Sequence, residues 1–80
     1  LMESAEKHAE EKNRIVIKNG SEIRIIPTVD ILYIEAYDDY VKIVTEKDSF
    51  LKKKTMNYYE TILSSTHFFR IHRSYIINIQ

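Results

Sequence analysis

Phe68-Phe69-Arg70-Ile71-His72-Arg73-Ser74-Tyr75-Ile76-Ile77-Asn78 is the stretch on which the reading of this chain turns. Its aromatic and β-branched residues are those of a strand, where such side chains pack well on a pleated surface. Set into that run are two arginines, a histidine, a serine and an asparagine. His72–Ser74 reads as a polar turn between two strands, with Phe69, Ile71, Ile76 and Ile77 anchoring its flanks. Arginine and serine on such a tip can reach phosphates and base edges. A solvated turn is the plainer alternative.

Working back from this stretch, Ser64–His67 is a loop. Before it, Met56, Tyr59, Ile62 and Leu63 recur at helical spacing, with Thr55 placed to cap a helix over Thr55–Leu63. Lys52-Lys53-Lys54 joins that helix to a short strand at Phe50-Leu51. Tyr40–Thr45 and Ile31–Tyr37 are strands separated by a turn at Asp38-Asp39. The second of these is apolar on both faces for much of its length, which predicts an inner position with packing on two sides. Pro27–Asp30 suits a single helical turn with proline at its start. Arg14–Lys18 and Glu22–Ile26 are strands around Asn19-Gly20, a strong hairpin signal because both residues tolerate positive φ. Residues 1–13 are rich in Glu, Lys and Ala and read as a short exposed helix or linker into a domain over 14–80. The fold class is mostly β, with one short helix laid against the sheet.

Eighty residues make one small domain, and small domains bury a modest share of their surface. There is no cysteine, which removes disulfides and thiolate zinc sites and fits a reducing, cytoplasmic setting. No apolar run reaches membrane-spanning length, so no membrane partner is expected. A single glycine excludes a glycine-rich phosphate loop, and no nucleophile–base pair stands out. Net charge is zero, but it is unevenly spread. Residues 49–80 carry Lys52, Lys53, Lys54, Arg70 and Arg73 against Glu60 alone. Local field matters more than the total for an anionic ligand, so this basic half suits DNA.

The candidate residues follow from that charge. Arg73 suits a base edge or a phosphate, and Ser74 a phosphate. Lys52, Lys53 and Lys54 could clamp phosphates or form a solvated run. On an extended chain Arg70 and His72 share one face, so Arg70 supports the same surface or pairs with Glu35 or Glu60. His72 suits a hydrogen-bonded strut orienting the turn, and Asn78 an amide tying backbone together. In the Tyr37–Lys42 hairpin, Asp38 and Asp39 would repel phosphates, which leaves Tyr37, Tyr40 and Lys42 as contacts. His67 and His72 with a carboxylate make too thin a set for a metal, and no cofactor or catalytic group is assigned.

The run Ile25–Ala36, then Asp39-Tyr40-Val41-Lys42-Ile43, then Phe69–Asn78 resembles the LytTR DNA-binding domain, from about Arg14 to Gln80. The resemblance implies an elongated fold of small antiparallel sheets that inserts loops, not a helix, into successive major grooves. It implies a bacterial transcriptional regulator, mostly of the two-component response-regulator kind, acting on paired direct repeats in promoter DNA with a second copy bound. An upstream receiver domain and a sensor kinase are implied partners of the parent protein. By position, Arg73 matches a base-reading site, Ser74 a phosphate contact and the Tyr37–Lys42 hairpin a second loop. His72, Tyr75 and Asn78 match positions that look structural. The family continues past the asparagine with further strands, so the domain is expected to be C-terminally truncated here. An edge left unpaired could dock another copy. A small β protein–protein interaction module is the competing reading, and a metal-dependent enzyme a third.

Overall fold

The computed structural model describes Glu10 and residues 13–79. Of the expected lead-in over residues 1–13, all but Glu10 and Asn13 lies outside the described residues. The described residues form seven strands, one 3-10 turn and one α-helix. Strands β1 (Arg14–Asn19) and β2 (Glu22–Pro27) form a two-stranded hairpin. After a 3-10 turn at Thr28–Asp30 come β3 (Ile31–Tyr37), β4 (Tyr40–Thr45) and β5 (Ser49–Lys52). Helix α1 (Met56–Ile62) leads to β6 (Phe68–His72) and β7 (Tyr75–Asn78). The larger sheet is antiparallel in the order β5-β4-β3-β7-β6. The doubly apolar β3 is its central strand, as expected, but it is packed on one face only, and Leu32 stays half exposed.

The first hairpin turns one residue later than its Asn-Gly pair suggests. Asn19 still pairs with Glu22, so Gly20 and Ser21 make the loop. Gly20 has φ +65° while Ser21 does not enter the left-handed region. Positive φ at the first loop position alone is the type II′ pattern, which needs glycine there. Pro27 ends β2 and stands as the N-cap of the 3-10 turn, just outside the position proposed for it.

Thr55 caps α1 as its position predicts, its hydroxyl accepting from the Tyr58 N–H at 3.0 Å. Two turns of helix are marginal alone, so packing must hold α1 in place. Met56, Tyr59 and Leu63 supply that packing; they are buried in one core with Ile34, Ile43 and Ile76 of the sheet. Ile15, Ile17 and Ile26 of the first hairpin enter the same core. One face of the five-stranded sheet is thus covered. Across the other, register aligns Phe69, Ile77, Tyr33 and Val44 in a row. The molecule measures 38 × 26 × 23 Å, moderately elongated.

Candidate nucleic-acid interface

Strand register decides which polar groups meet. Glu35 of β3 pairs with Tyr75 at the start of β7 and with Lys42 near the start of β4. The Asp38-Asp39 turn and the Arg73-Ser74 turn therefore project from the same end of the sheet. Val41 pairs with Lys52, the last residue of β5, so Lys53 and Lys54 emerge at that end too. Between the Asp38-Asp39 turn and the start of α1 lies an open cleft of about 400 Å³, lined in part by Tyr40, Asp39, Lys54, Asn57 and Arg70. Lys42, Lys53, Lys54 and Arg73 bring positive charge to this end, opposed by Asp38 and Asp39. Lys42 sits over the Tyr37 ring, 5.4 Å from its centre, and Lys54 over Tyr58 at 4.6 Å. Asp38 takes φ 59°, a conformation that Asp tolerates better than most residues.

Three hydrogen bonds fix the Arg73-Ser74 tip. The Ser74 N–H donates to His72 Nδ1 at 3.1 Å, so His72 carries its proton on Nε2 when neutral. The Ser74 carbonyl accepts from the Ala36 N–H at 2.8 Å. The Arg73 carbonyl accepts from Arg70 Nη2 at 2.6 Å. The Arg73 side chain remains exposed. The tip is thus rigid at its backbone while its cation is free to reach outward.

Arg70 and His72 do not share a face, contrary to the simple alternation. Arg70 pairs with Ile76 and His72 with Tyr75, so Ile71 is an extra residue in β6. A bulge of this kind re-aims the side chains beyond it. Arg70 turns to the helix side, where Nη1 donates to Asn57 Oδ1 and to Glu60 Oε1, the latter at 2.9 Å. Of its two suggested acidic partners, the structure selects Glu60. Arg70 Nε is buried with no acceptor among the described residues, left behind by a guanidinium whose outer nitrogens reach three oxygens. Glu35, on the opposite face, accepts from the Tyr75 hydroxyl at 3.0 Å. That bond and the Glu35 charge raise the Tyr75 hydroxyl above its ordinary pKa.

The three lysines separate. Lys53 and Lys54 are exposed. Lys52 is turned inward, its side chain 17% exposed, and its ammonium pairs with Glu10 Oε2 at 3.1 Å and donates to the Val16 carbonyl. The Lys52 ammonium is thus engaged within the fold, unlike those of Lys53 and Lys54. Its parity with Phe50, two residues back on β5, was the available signal: alternation puts both on the half-buried side.

Glu10 is the residue that sequence reasoning missed. Its carboxylate accepts from the Tyr58 hydroxyl at 2.7 Å, the Tyr59 hydroxyl at 3.0 Å and the Val16 N–H at 3.1 Å, besides Lys52. Burial alone would raise its pKa; the bonds from Tyr58, Lys52 and Val16 outweigh that and hold it below its ordinary value. The reciprocal effect appears on the tyrosines. Burial, with the bond to Glu10 and its charge, pushes Tyr58 up to about 12. Tyr59, more deeply buried beside the same carboxylate, is raised further. One glutamate among several in a charged lead-in gave no sign of this.

Asn78 closes the strand end. Its amide donates to the Ile31 carbonyl at 2.7 Å, beside the irregular step where Leu32 is extra in β3, and to the Thr28 carbonyl at 3.4 Å. Among the described residues no three His, Asp or Glu side chains gather as a metal would need. No helix there is long and apolar enough to cross a membrane.

Comparison with known proteins adds a family to this geometry. Residues 21–80 match the family described as LytTr DNA-binding domain. The sensory transduction protein LytT of Bacillus subtilis is 29% identical over 69 residues, 86% of this chain and 29% of that protein. The transcriptional regulatory protein NatR of the same organism is 36% identical over 66 residues, 82% of this chain and 28% of that protein. The transcriptional regulatory protein YpdB of Escherichia coli K12 is 29% identical over 69 residues, again 86% of this chain and 28% of that protein. The chain thus spans under a third of the length of these relatives. Among solved structures, the LytTr DNA-binding domain of a methyl-accepting/DNA response regulator from Bacillus cereus superposes with a TM-score of 0.75 at 26% identity. That match covers 85% of this chain and 62% of that one.

Proposed function

The chain belongs to the LytTr DNA-binding domain family, and from that premise we propose that it binds duplex DNA in a sequence-specific manner through the sheet end bearing the Arg73-Ser74 tip. The observation that carries this is the register: it gathers Arg73, Ser74, Tyr37, Tyr40, Lys42, Lys53 and Lys54 from four separate segments onto one end of the molecule. Arg73 reads a base edge from the major groove, where an arginine fork matches guanine O6 and N7. Ser74 and the two exposed lysines contact phosphates, which position the domain without reading sequence. Lys42 and the tyrosines of the β3–β4 turn form the second contact, flanking Asp38 and Asp39. Lys52 and Arg70 are internal supports of this surface, and His72, Tyr75 and Asn78 shape it.

The parent protein, in this reading, is a cytoplasmic bacterial response regulator. A receiver domain and its sensor kinase control the DNA-binding unit, and two copies occupy paired direct repeats. Names of the relatives, two of them transcriptional regulators and one a sensory transduction protein, support this.

The test is Arg73→Ala, assayed by gel shift on a duplex selected by the wild-type chain from a random-sequence pool. Specific affinity should fall by ~1–3 kcal/mol, the range for one good base contact, with relaxed preference at one position. An unchanged affinity and an unchanged preference would remove Arg73 from base readout.

A further inference from the structure

The Arg73-Ser74 tip is fastened to a helix that has no place in the proposed contact itself. Arg70 Nη2 holds the Arg73 carbonyl, while Nη1 of the same guanidinium is held by Asn57 and Glu60 of α1. The planar fork makes these bonds geometrically dependent: one nitrogen cannot turn without the other. Arg70 lies on the helix side by regular alternation from the buried Phe68, and the Ile71 bulge after it turns His72 to the other face, so the strand keeps its anchor inward while the tip departs. The Arg70 side chain is mostly covered, 22% exposed, and its fork engages three acceptors.

We propose that Arg70 is a positioning residue for DNA readout: α1, acting through Asn57, Glu60 and the Arg70 fork, sets the direction in which Arg73 is presented. This rests on the reading of Arg73 as a base contact. A base-reading arginine must be held close to its productive geometry by a supporting shell, or discrimination falls although the cation is still there. The consequence is a separation of effects. Loss of the fork changes the ratio of affinities for selected and scrambled duplexes, and leaves phosphate binding as it was.

Arg70→Lys, Asn57→Ala and Glu60→Gln, made in the chain as it stands, test this on the selected duplex and on a scrambled one across a salt series. Hydrogen exchange of the Ser74 and Ala36 amides is measured in the absence of DNA. Arg70→Lys keeps the charge and loses the fork; the affinity ratio should fall roughly three- to tenfold, part of the discrimination of one base contact. The salt slope should stay unchanged and the Ser74 amide should exchange faster. Asn57→Ala and Glu60→Gln should shift ratio and exchange in the same directions. Glu60→Gln is the sharpest case, because removing a carboxylate by simple electrostatics would raise affinity for both duplexes without changing their ratio. If Ser74 exchange stays as in wild type in all three variants, Arg70 does not position the tip. A loss of ratio in Arg73→Ala but in none of these variants also overturns the proposal while the base-reading assignment stands. If Arg73→Ala keeps its ratio, that assignment fails, and Ser74 exchange still decides whether Arg70 holds the tip. A weaker salt slope in Arg70→Lys would make Arg70 a phosphate contact instead.

Discussion

A carboxylate of the lead-in, Glu10, binds three elements to one another: β1 through the Val16 N–H, β5 through Lys52, and α1 through Tyr58 and Tyr59. Its folded pKa lies below the ordinary carboxylate value of 4.5. The stability it contributes is therefore complete above that value and is lost as pH falls through the lower, folded one. Glu10→Gln should lower the denaturant midpoint at neutral pH, and the gap to wild type should close as acidification carries the carboxylate through its lowered folded pKa. A gap that stays constant until the protein unfolds in acid would show that charge is not the source. Tyr58 titrates near 12 in place of its ordinary 10, so its share persists to about pH 10 and falls away above it. The lysines give a second residue-scale prediction. Lys53→Ala and Lys54→Ala should each flatten the dependence of log affinity on log salt by roughly 0.9, the slope for one released counterion. Lys52→Ala should leave that slope alone and lower the unfolding midpoint, because its ammonium is already paired with Glu10. A salt titration of the three variants separates these outcomes.

Elements show where the sequence was readable. Helix α1 is short enough that its N-cap matters: Thr55→Ala should cost ~1 kcal/mol in a denaturant titration, the usual loss for a threonine cap. Thr55→Ser, which keeps the hydroxyl, should recover most of it. The Thr55 cap, the helical spacing of Met56, Tyr59 and Leu63, and the span of β3 were legible because each is a local pattern with one strong physical cause. The Asn19-Gly20 pair announced a hairpin, but its register was set by which residues pair, and Gly20-Ser21 became the turn. The bulge at Ile71 left no local mark either. Alternation put Arg70 and His72 on one face, and only the pairing of β6 with β7 divides them. Lys52 looked like its two neighbours in composition and differs from them by strand parity alone. What could not be read was long-range: Glu10 meets partners up to 49 residues away.

For the whole molecule, the single core sits where hairpin, sheet and helix meet. Ile34, on the central strand and wholly buried, lies in it. Ile34→Ala should cost ~2–5 kcal/mol, the range for such a truncation. Against a total of roughly 5–15 kcal/mol for a typical domain, a fall in the urea midpoint with little change in slope is expected. A loss under about 1 kcal/mol would mean that the site collapses around the smaller side chain. The overall charge of zero conceals the arrangement that matters for DNA, because the cations at the sheet end come from β4, the Lys53-Lys54 segment and the β6–β7 tip. The contacts of Glu10 also bear on how the domain can be shortened. A version begun at Arg14 would retain every strand described and the helix. It would leave the Tyr58 and Tyr59 hydroxyls without their acceptor, Tyr59 in a setting closed to water, and the Lys52 ammonium with the Val16 carbonyl but no counter-charge. A cut that spares every strand would thus still remove part of the packing, because a side chain ahead of the first strand belongs to it.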